Sequence, residues 1–333
     1  MNARTLIGLL ALVVSGLLAW ELRWVLLVLF GAIVLAVALD VPVTWLRKLT
    51  RLNRPIALLL VVLVLVVSGW RLGELLLPEL VQQVNQFMQL VPTLFTRLGQ
   101  LLGGMAMLES VETRLLQFGT LEKLQPLGSQ LLGLAGGAAS ITVQLLLMVL
   151  LALLLALDPR SHQRLVLAIT PAHYRPLISD VLGECRQALG GWLAGMTLSG
   201  VAVFALTWAG LAALKVPLAL LSALVCGLLT FVPTIGPTAA TLLPLSVALL
   251  LSPALAVQVL VLRLLVQQGE AFLLTPLLLS RTVNLLPTVA LMAQLCLGAL
   301  LGLPGVLLAL PLVVVLQVLA QKLLVEQVMD RWI

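Results

Sequence analysis

Long apolar runs separated by short polar stretches dominate the chain. Most of these runs approach the length of about 20 residues that a membrane-spanning helix needs. They are residues 5–20, 24–39, 55–70, 131–157, 187–214 and 264–280. The first two follow each other almost directly, and no clean small-residue cleavage site separates them. The start of the chain therefore predicts a retained helical hairpin rather than a signal peptide.

The pattern changes between residues 78 and 130. Apolar residues recur there at helical spacing among Gln, Asn, Glu and Arg, as in the series Leu80, Val84, Phe87 and Val91. This periodicity is typical of amphipathic helices. We predict three regions along the chain: amino-terminal transmembrane helices at 1–77, an extracytoplasmic amphipathic segment at 78–130 and a transmembrane transport core at 131–333.

Two stretches in the carboxyl half have no ionisable residue and are too long for one helix, residues 216–262 and 282–321. Each is interrupted near its middle by proline and glycine. Segments of this kind are either broken or re-entrant hairpins, which need protein or water around their non-helical backbone, or ordinary tight hairpins with their turns at the surface. The positions expected to act as hinges in and near these stretches are Pro233, Gly236, Pro237, Pro276, Pro287, Pro304 and Gly305.

Composition places these runs in a bilayer. Hydrophobic residues make up 62% of the 333 residues and charged residues only 10%, whereas soluble domains are roughly half apolar and a quarter charged. We therefore predict an all-α, polytopic transmembrane protein with about eight membrane segments, two of them broken or re-entrant hairpins. The net charge of +6 comes from scattered loops and forms no basic face, so the expected partner is the lipid bilayer and not nucleic acid.

The basic residues also predict an orientation. One cluster lies between the second and third runs, and another follows the run at 131–157; they are Arg47, Lys48, Arg51, Arg54, Arg160, Arg164, Arg175 and Arg186. The positive-inside rule puts both clusters on the cytoplasmic side. An even number of crossings between them satisfies this, with both termini cytoplasmic and residues 78–130 outside.

One polar strip crosses the apolar background. Arg263, Gln267 and Glu270 are spaced four and three residues apart and share one helix face. A charge at the bilayer centre costs about 2.5 to 3.5 kcal/mol, so such residues are functional candidates. The strip either lines a solute or ion pathway, with Glu270 carrying a proton, or is a structural network between helices. Gln294 and Thr288 add hydrogen-bonding groups in the last long apolar stretch and are either pathway residues or interhelical contacts.

Several chemistries lack their sequence signatures. The three cysteines are widely spaced and form no CxxC metal pair, and the chain has no GxxxxGK[ST], HExxH or GxSxG motif. We therefore predict no metal, no cofactor and no enzymatic activity. A ladder of small residues, Gly191, Gly195 and Ser199, predicts close helix packing.

The order of motifs resembles the autoinducer-2 exporter family of bacterial membrane proteins. The resemblance rests on Val232-Pro233-Thr234-Ile235-Gly236-Pro237, on Gln268-x-Glu270 followed by Thr275-Pro276 and Leu286-Pro287, and on Gly302-Leu303-Pro304-Gly305 with Ala309-Leu310-Pro311. Pro42-x-x-x-Leu46 agrees as well. Val232 and Ser280 depart from the family pattern, which has isoleucine and, in many members, glycine there.

This resemblance implies a bacterial inner-membrane exporter of small molecules, such as a quorum-sensing signal, that assembles into homo-oligomers, with pentamers the expected form. Some relatives are sodium/proton antiporters. Three functions therefore stay open: a secondary transporter exporting an autoinducer-2-like polar metabolite, a sodium/proton antiporter with Glu270 as exchange carboxylate, and a membrane scaffold that transports nothing.

Overall fold

The computed structural model of the chain describes residues 14, 16–18, 20–101, 142–232, 235–274 and 286–329. This part of the chain is helical and contains no β-strand, which confirms the all-α class. Its main helices are α1 (Arg23–Thr50), α2 (Arg54–Leu101), α3 (Thr142–Leu157), α4 (Pro159–Ile169), α5 (Arg175–Ala213), α6 (Ala219–Leu229), α7 (Ile235–Leu251), α8 (Pro253–Gly269) and α9 (Pro287–Leu319).

Five helices among the described residues are long and apolar enough to span a bilayer, and a sixth span results if α3 and α4 are counted together. Three further apolar helices are shorter, of which α6 has only 11 residues. At 1.5 Å per residue, α6 reaches about 16 Å, roughly half of the hydrocarbon thickness. The multi-pass class is thus confirmed, while the number of eight segments stays a prediction.

Helix α2 is longer than its sequence pattern predicts. It runs without interruption for 48 residues and contains both Pro78 and Pro92. Each proline removes one backbone hydrogen bond. The part of the helix between the two prolines is stabilised by packing, because Phe87 and Leu90 contact a cluster formed by the end of α5 and the first hairpin. The predicted boundary at residues 77 and 78 therefore coincides with no helix break, and its place relative to the membrane stays a prediction.

Helix α3 ends before Asp158-Pro159, as the sequence predicts, and α4 leaves it at 88°. The side chain of Asp158 caps α4 by accepting hydrogen bonds from the hydroxyl and the amide of Ser161. These bonds favour the ionised carboxylate and lower the pKa of Asp158. The cap and the proline at the first position of α4 fix the sharp change of direction.

Helices α6 and α7 form the first hairpin. They are antiparallel, since Cys226 of α6 contacts the carbonyl oxygen of Ala240 in α7. Gly236 closes the turn: a Cβ atom there would lie 1.9 Å from the carbonyl oxygen of Leu229. Only glycine allows the two backbones to approach so closely.

The second hairpin has two arms, Thr288–Gly302 and Pro304–Glu326. The second arm continues past the end of α9 into a π-helical segment, Ala320–Met329. The chain reverses at Gly302, whose φ of 65° and ψ of −149° lie outside the helical region. A Cβ atom on Gly305 would lie 2.1 Å from the carbonyl oxygen of Leu297. The arms then fold together, because Ala290 of the first arm shares a buried cluster with Leu310 and Val314 of the second.

One helix boundary differs from the sequence prediction. The apolar stretch at 216–262 contains a second turn, where Ser252 caps α8 by accepting from the amide of Leu255 and Pro253 occupies the first turn. The candidate span Pro253–Phe272 consequently begins eleven residues before the start that the sequence predicts at 264, and residues 275–280 lie outside the described residues. A serine followed by proline is a helix-start signal, which the long apolar run obscured.

Candidate functional site

Helices α5 and α8 pack antiparallel and carry the polar strip between them. Ser199 of α5 meets Glu270, Thr207 meets Arg263, and Gly210 lies against Leu262. Residue numbers along α8 therefore fall as those along α5 rise, which shows that the two helices run in opposite directions. Arg263 and Glu270 are joined to α5 at two separate points, Thr207 and Ser199, in agreement with their predicted axial separation of about 10 Å.

Arg263 is buried, with 3% of its surface exposed. Its Nη1 donates to the hydroxyl of Thr207 at 2.9 Å, and its Nε donates to the hydroxyl of Thr241 in α7 at 3.3 Å. None of the salt bridges among the described residues involves Arg263. A guanidinium group in an apolar environment with only neutral partners keeps unused donors and an uncompensated charge.

Glu270 stands where α8 ends and a short π-helical turn, Glu270–Leu274, begins. Its Oε1 accepts a hydrogen bond from the hydroxyl of Ser199 at 2.7 Å. Turns of π-helix are rare and are frequently found at functional sites. The carboxylate at the start of this turn lies against the middle of α5, about two turns from the point where Arg263 meets the same helix.

A cavity of about 380 Å³ opens between α7 and α8 at this strip. Its polar lining consists of Thr238 and Thr241 from α7 and Arg263 and Gln267 from α8, while Pro237 forms part of the wall. The structure thus brings Arg263 and Gln267 together in one cavity, as their spacing predicts. The size lies within the usual range for small-molecule sites.

The first hairpin reaches this region of α5 at its turn. Gly200 and Gly227 touch backbone to backbone: a Cβ on Gly200 would be 3.0 Å from the carbonyl oxygen of Gly227. Phe231, beside the turn, packs on the cluster that contains Met196 of α5 and residues of the second hairpin. Both hairpins therefore meet α5 within one or two turns of Ser199.

Gln294 lies in the first arm of the second hairpin, one helical turn beyond Ala290, which packs in the cluster with Met196. It is 5% exposed, and neither its Oε1 nor its Nε2 has a hydrogen-bond partner among the residues that the structure describes. Burying an amide without hydrogen-bond partners costs about 1 to 3 kcal/mol of folding free energy. The side chain of Gln294 therefore lowers the stability of the protein. Thr288 is exposed at the start of the same arm, away from the buried groups.

The predicted hinge positions fall into three groups. Gly236 and Gly305 are buried and close the two hairpins. Pro237 lines the cavity, Pro304 follows the reversal at Gly302, and Pro287 occupies the first turn of α9. Pro233 and Pro276 lie outside the described residues.

The sequence did not predict which hydroxyl groups bond to the strip, namely those of Ser199, Thr207 and Thr241. Ser199 was expected only to allow close helix packing, and Thr207 and Thr241 gave no signal, because their roles depend on contacts between distant helices. One clue existed: Ser199 and Thr207 are eight residues apart on α5, and Arg263 and Glu270 are seven apart on α8. Two polar pairs with matching spacing are expected on facing helices.

The comparison with known protein families agrees with this architecture. The model of the AI-2E family transporters matches residues 9–324. The chain belongs to this family. The predicted resemblance to the autoinducer-2 exporters is therefore confirmed, and it covers both hairpins and the polar strip of this AI-2E family member.

Three relatives bear names that refer to transport. The chain is 25% identical to "Putative transport protein sll0060" of Synechocystis over 287 residues, which cover 83% of this chain and 82% of that protein. It is 25% identical to "Putative transport protein YrrI" and 24% identical to "Putative transport protein YueF", both of Bacillus subtilis. The alignments cover 49% and 58% of this chain and 46% and 52% of those proteins. The chain thus spans about half the length of the two Bacillus relatives.

Proposed function

We propose that this AI-2E family member is a secondary transporter that exports a small polar molecule of the autoinducer-2 type across the bacterial inner membrane, without converting it chemically. The observation that carries the proposal is the polar strip between α5 and α8, in which Arg263 is buried and Gln267 and Glu270 are half-buried. It places a guanidinium and a carboxylate, each bonded to hydroxyl groups, where two hairpins meet.

The chemistry of the strip suits a neutral, hydroxylated solute. Arg263 and Gln267 supply N–H donors, and Thr238 and Thr241 supply hydroxyl groups that both donate and accept. Outside this cavity, Gln294 of the second hairpin offers a further amide, which has no partner in the described part of the chain. A polyhydroxylated furanone would satisfy these groups, whereas an apolar molecule would leave them unsatisfied.

Glu270 supports a second candidate, a sodium/proton antiporter. Its carboxylate accepts from Ser199, and a carboxylate held by a hydroxyl at membrane depth is a suitable site for exchange of a proton and a cation. In this candidate the strip would carry ions, and the polar solute would not be transported.

The test is flux through purified protein in vesicles, with autoinducer-2, a panel of small polar solutes and sodium each supplied in turn. We expect solute flux that falls at least tenfold in Glu270→Gln and is unchanged in Glu74→Gln. Glu74 is the matched control, since it is an exposed carboxylate bonded to Trp70 and Arg71 of its own helix.

Sodium-dependent proton flux that is lost in Glu270→Gln, without solute flux, would favour the antiporter. A protein that moves none of these species, and whose Glu270→Gln variant changes only assembly, would be the scaffold. Native mass spectrometry of the same preparations counts the chains per particle. It tests the proposal, taken from the family, that the protein is a homo-oligomer.

A further inference from the structure

A second cavity lies at the opposite end of α5 from the polar strip. It has a volume of about 340 Å³ and is enclosed by α1, α2, α3, α4, α5 and the second arm of α9. Its wall is apolar, with Phe30, Ile33, Ala36, Leu155, Val181 and Leu189 among the lining residues. Arg186 at this cavity and Ser199 at the strip are 13 residues apart, about 20 Å along the helix, so the two sites are separate.

One edge of this cavity carries a group of three charges. Asp40 of α1 accepts from Nη2 of Arg54 at 2.6 Å and from Nε of Arg186 at 3.0 Å. Arg54 also donates through Nε to the carbonyl oxygen of Ala156 at 2.8 Å. Two guanidinium groups thus share one carboxylate, and Asp40 is the single acidic residue among those that line the cavity. The edge keeps a net positive charge.

The guanidinium groups also have donors to offer. Each carries five N–H groups, and the bonds to Asp40 and Ala156 occupy only part of them. The side chain of Arg186 is 39% exposed, whereas that of Asp40 is 13% exposed. Arg186 therefore faces the opening, and Arg54, which is 17% exposed, lies behind it with the carboxylate of Asp40.

Helix α4 forms the rim of this opening through His162 and Gln163. It turns by 88° from α3, and it has no buried residue. Its exposed side chains include the basic residues Arg160 and Arg164 and the apolar residues Leu165 and Ile169. A short basic amphipathic helix at right angles to a span is typical of an element that lies along the membrane surface, and it puts the opening at the level of the lipid headgroups.

We propose that this cavity binds one anionic phospholipid of the bilayer, with its phosphate at Arg54 and Arg186 and an acyl chain along the apolar wall. Three features of the cavity fit this ligand together: a net positive edge, an apolar interior and an opening at headgroup level. Basic pockets between transmembrane helices bind such headgroups in other membrane proteins. A free anionic amphiphile would not need the opening at that level.

The test is lipid retention by the full-length protein, purified in a neutral detergent and exposed to phosphatidylglycerol or to phosphatidylcholine with the same chains. Native mass spectrometry counts the bound lipid. One uncompensated Arg near the surface is worth about a fivefold preference for the anionic lipid. We expect that preference, and we expect Cys185→Phe to abolish it because Cys185 lines the cavity.

Cys296→Phe is the matched control. Cys296 lines an apolar groove on the second hairpin with Val289 and Met292, so the same substitution there should leave phosphatidylglycerol retention unchanged. If Cys185→Phe folds poorly, Ile33→Trp fills the cavity from a position that is 40% exposed. Equal retention of both lipids, retention unaffected by the filled cavity, or displacement of phosphatidylglycerol by equimolar oleate would each overturn the proposal.

Discussion

The two hairpins share one turn chemistry and differ in how they are held. In each, a glycine lets a helix start against the carbonyl oxygen of the helix before it, Gly236 on Leu229 and Gly305 on Leu297. The first hairpin is then fixed by side chains: Cys226 bonds to Ala240, and Thr241 accepts from Arg263.

The second hairpin has a different interior. Its buried amide, on Gln294, has no partner among the described residues. The arms pack through apolar side chains such as Ala290, Leu310 and Val314. At Gln294 the second hairpin lacks the directional bonds that define the position of the first hairpin. The far end of its second arm is nevertheless tied to α5, since Lys322 pairs with Glu184 at 2.9 Å. We infer that the part of the second hairpin toward its turn moves during transport, that Lys322 anchors its other end to α5, and that the first hairpin provides a fixed wall.

The largest effect is expected at the turn of the first hairpin. Gly236→Leu forces a side chain into the carbonyl oxygen of Leu229, which should cost about 3 kcal/mol and abolish transport while leaving membrane insertion largely intact. Flux and thermal unfolding in detergent measure the two effects. Gly69→Ala is the control, because nothing lies within 4 Å of a Cβ at Gly69. Normal flux in Gly236→Leu would contradict a fixed first hairpin.

A smaller effect is expected where the second hairpin reverses. Gly302 has open space around its Cβ position but a φ of 65° and a ψ of −149°, so Gly302→Ala meets backbone strain without a clash. The cost is about 1 to 3 kcal/mol. Flux should fall, and thermal unfolding should occur a few degrees lower. An unchanged unfolding temperature would show that the turn relaxes freely.

A loss of stability of similar size is expected when the hydroxyl of Thr207, which accepts from Arg263, is removed. Thr207→Val removes the acceptor of a buried guanidinium, whereas Thr207→Ser keeps it. We expect a loss of about 1 to 3 kcal/mol in the valine variant and near wild-type stability and flux in the serine variant. Equal behaviour of the two variants would mean that the hydroxyl does not hold Arg263.

The smallest change in stability is expected at Gln294, where substitution should raise the free energy of unfolding instead of lowering it. Gln294→Leu removes an unpartnered buried amide, so the free energy of unfolding should rise by about 1 kcal/mol. Flux of the polar solute should nevertheless fall, because the amide is then missing from the pathway. Thr241→Val, on the first hairpin, should instead lower stability. If Gln294→Leu destabilises the protein, the amide has a structural partner and the contrast between the hairpins fails.

The sequence revealed those features that depend on local chemistry. Gly236 and Gly305 were predictable as breaks, because proline and glycine interrupt charge-free stretches there, and Arg263 and Gln267 were predictable on one face. The start of α8 at Pro253 was not predicted from the sequence, because the apolar stretch continues on both sides of it. The contact of Ser199 with Glu270 joins residues 71 positions apart, and only the similar spacing of the polar pairs on α5 and α8 indicates it in the sequence.

Helix α2 has a practical consequence of its own. Its 48 residues give a contour length of about 72 Å, more than twice the hydrocarbon thickness. Beyond Pro78, Gln83 of this helix accepts a hydrogen bond from the amide of Leu221 in the first hairpin. The helix therefore links α1, against which Ala57 and Leu58 pack, to the first hairpin. A fluorophore at Met88, which is 47% exposed, would report tilting of the transport core from a position that reagents can reach.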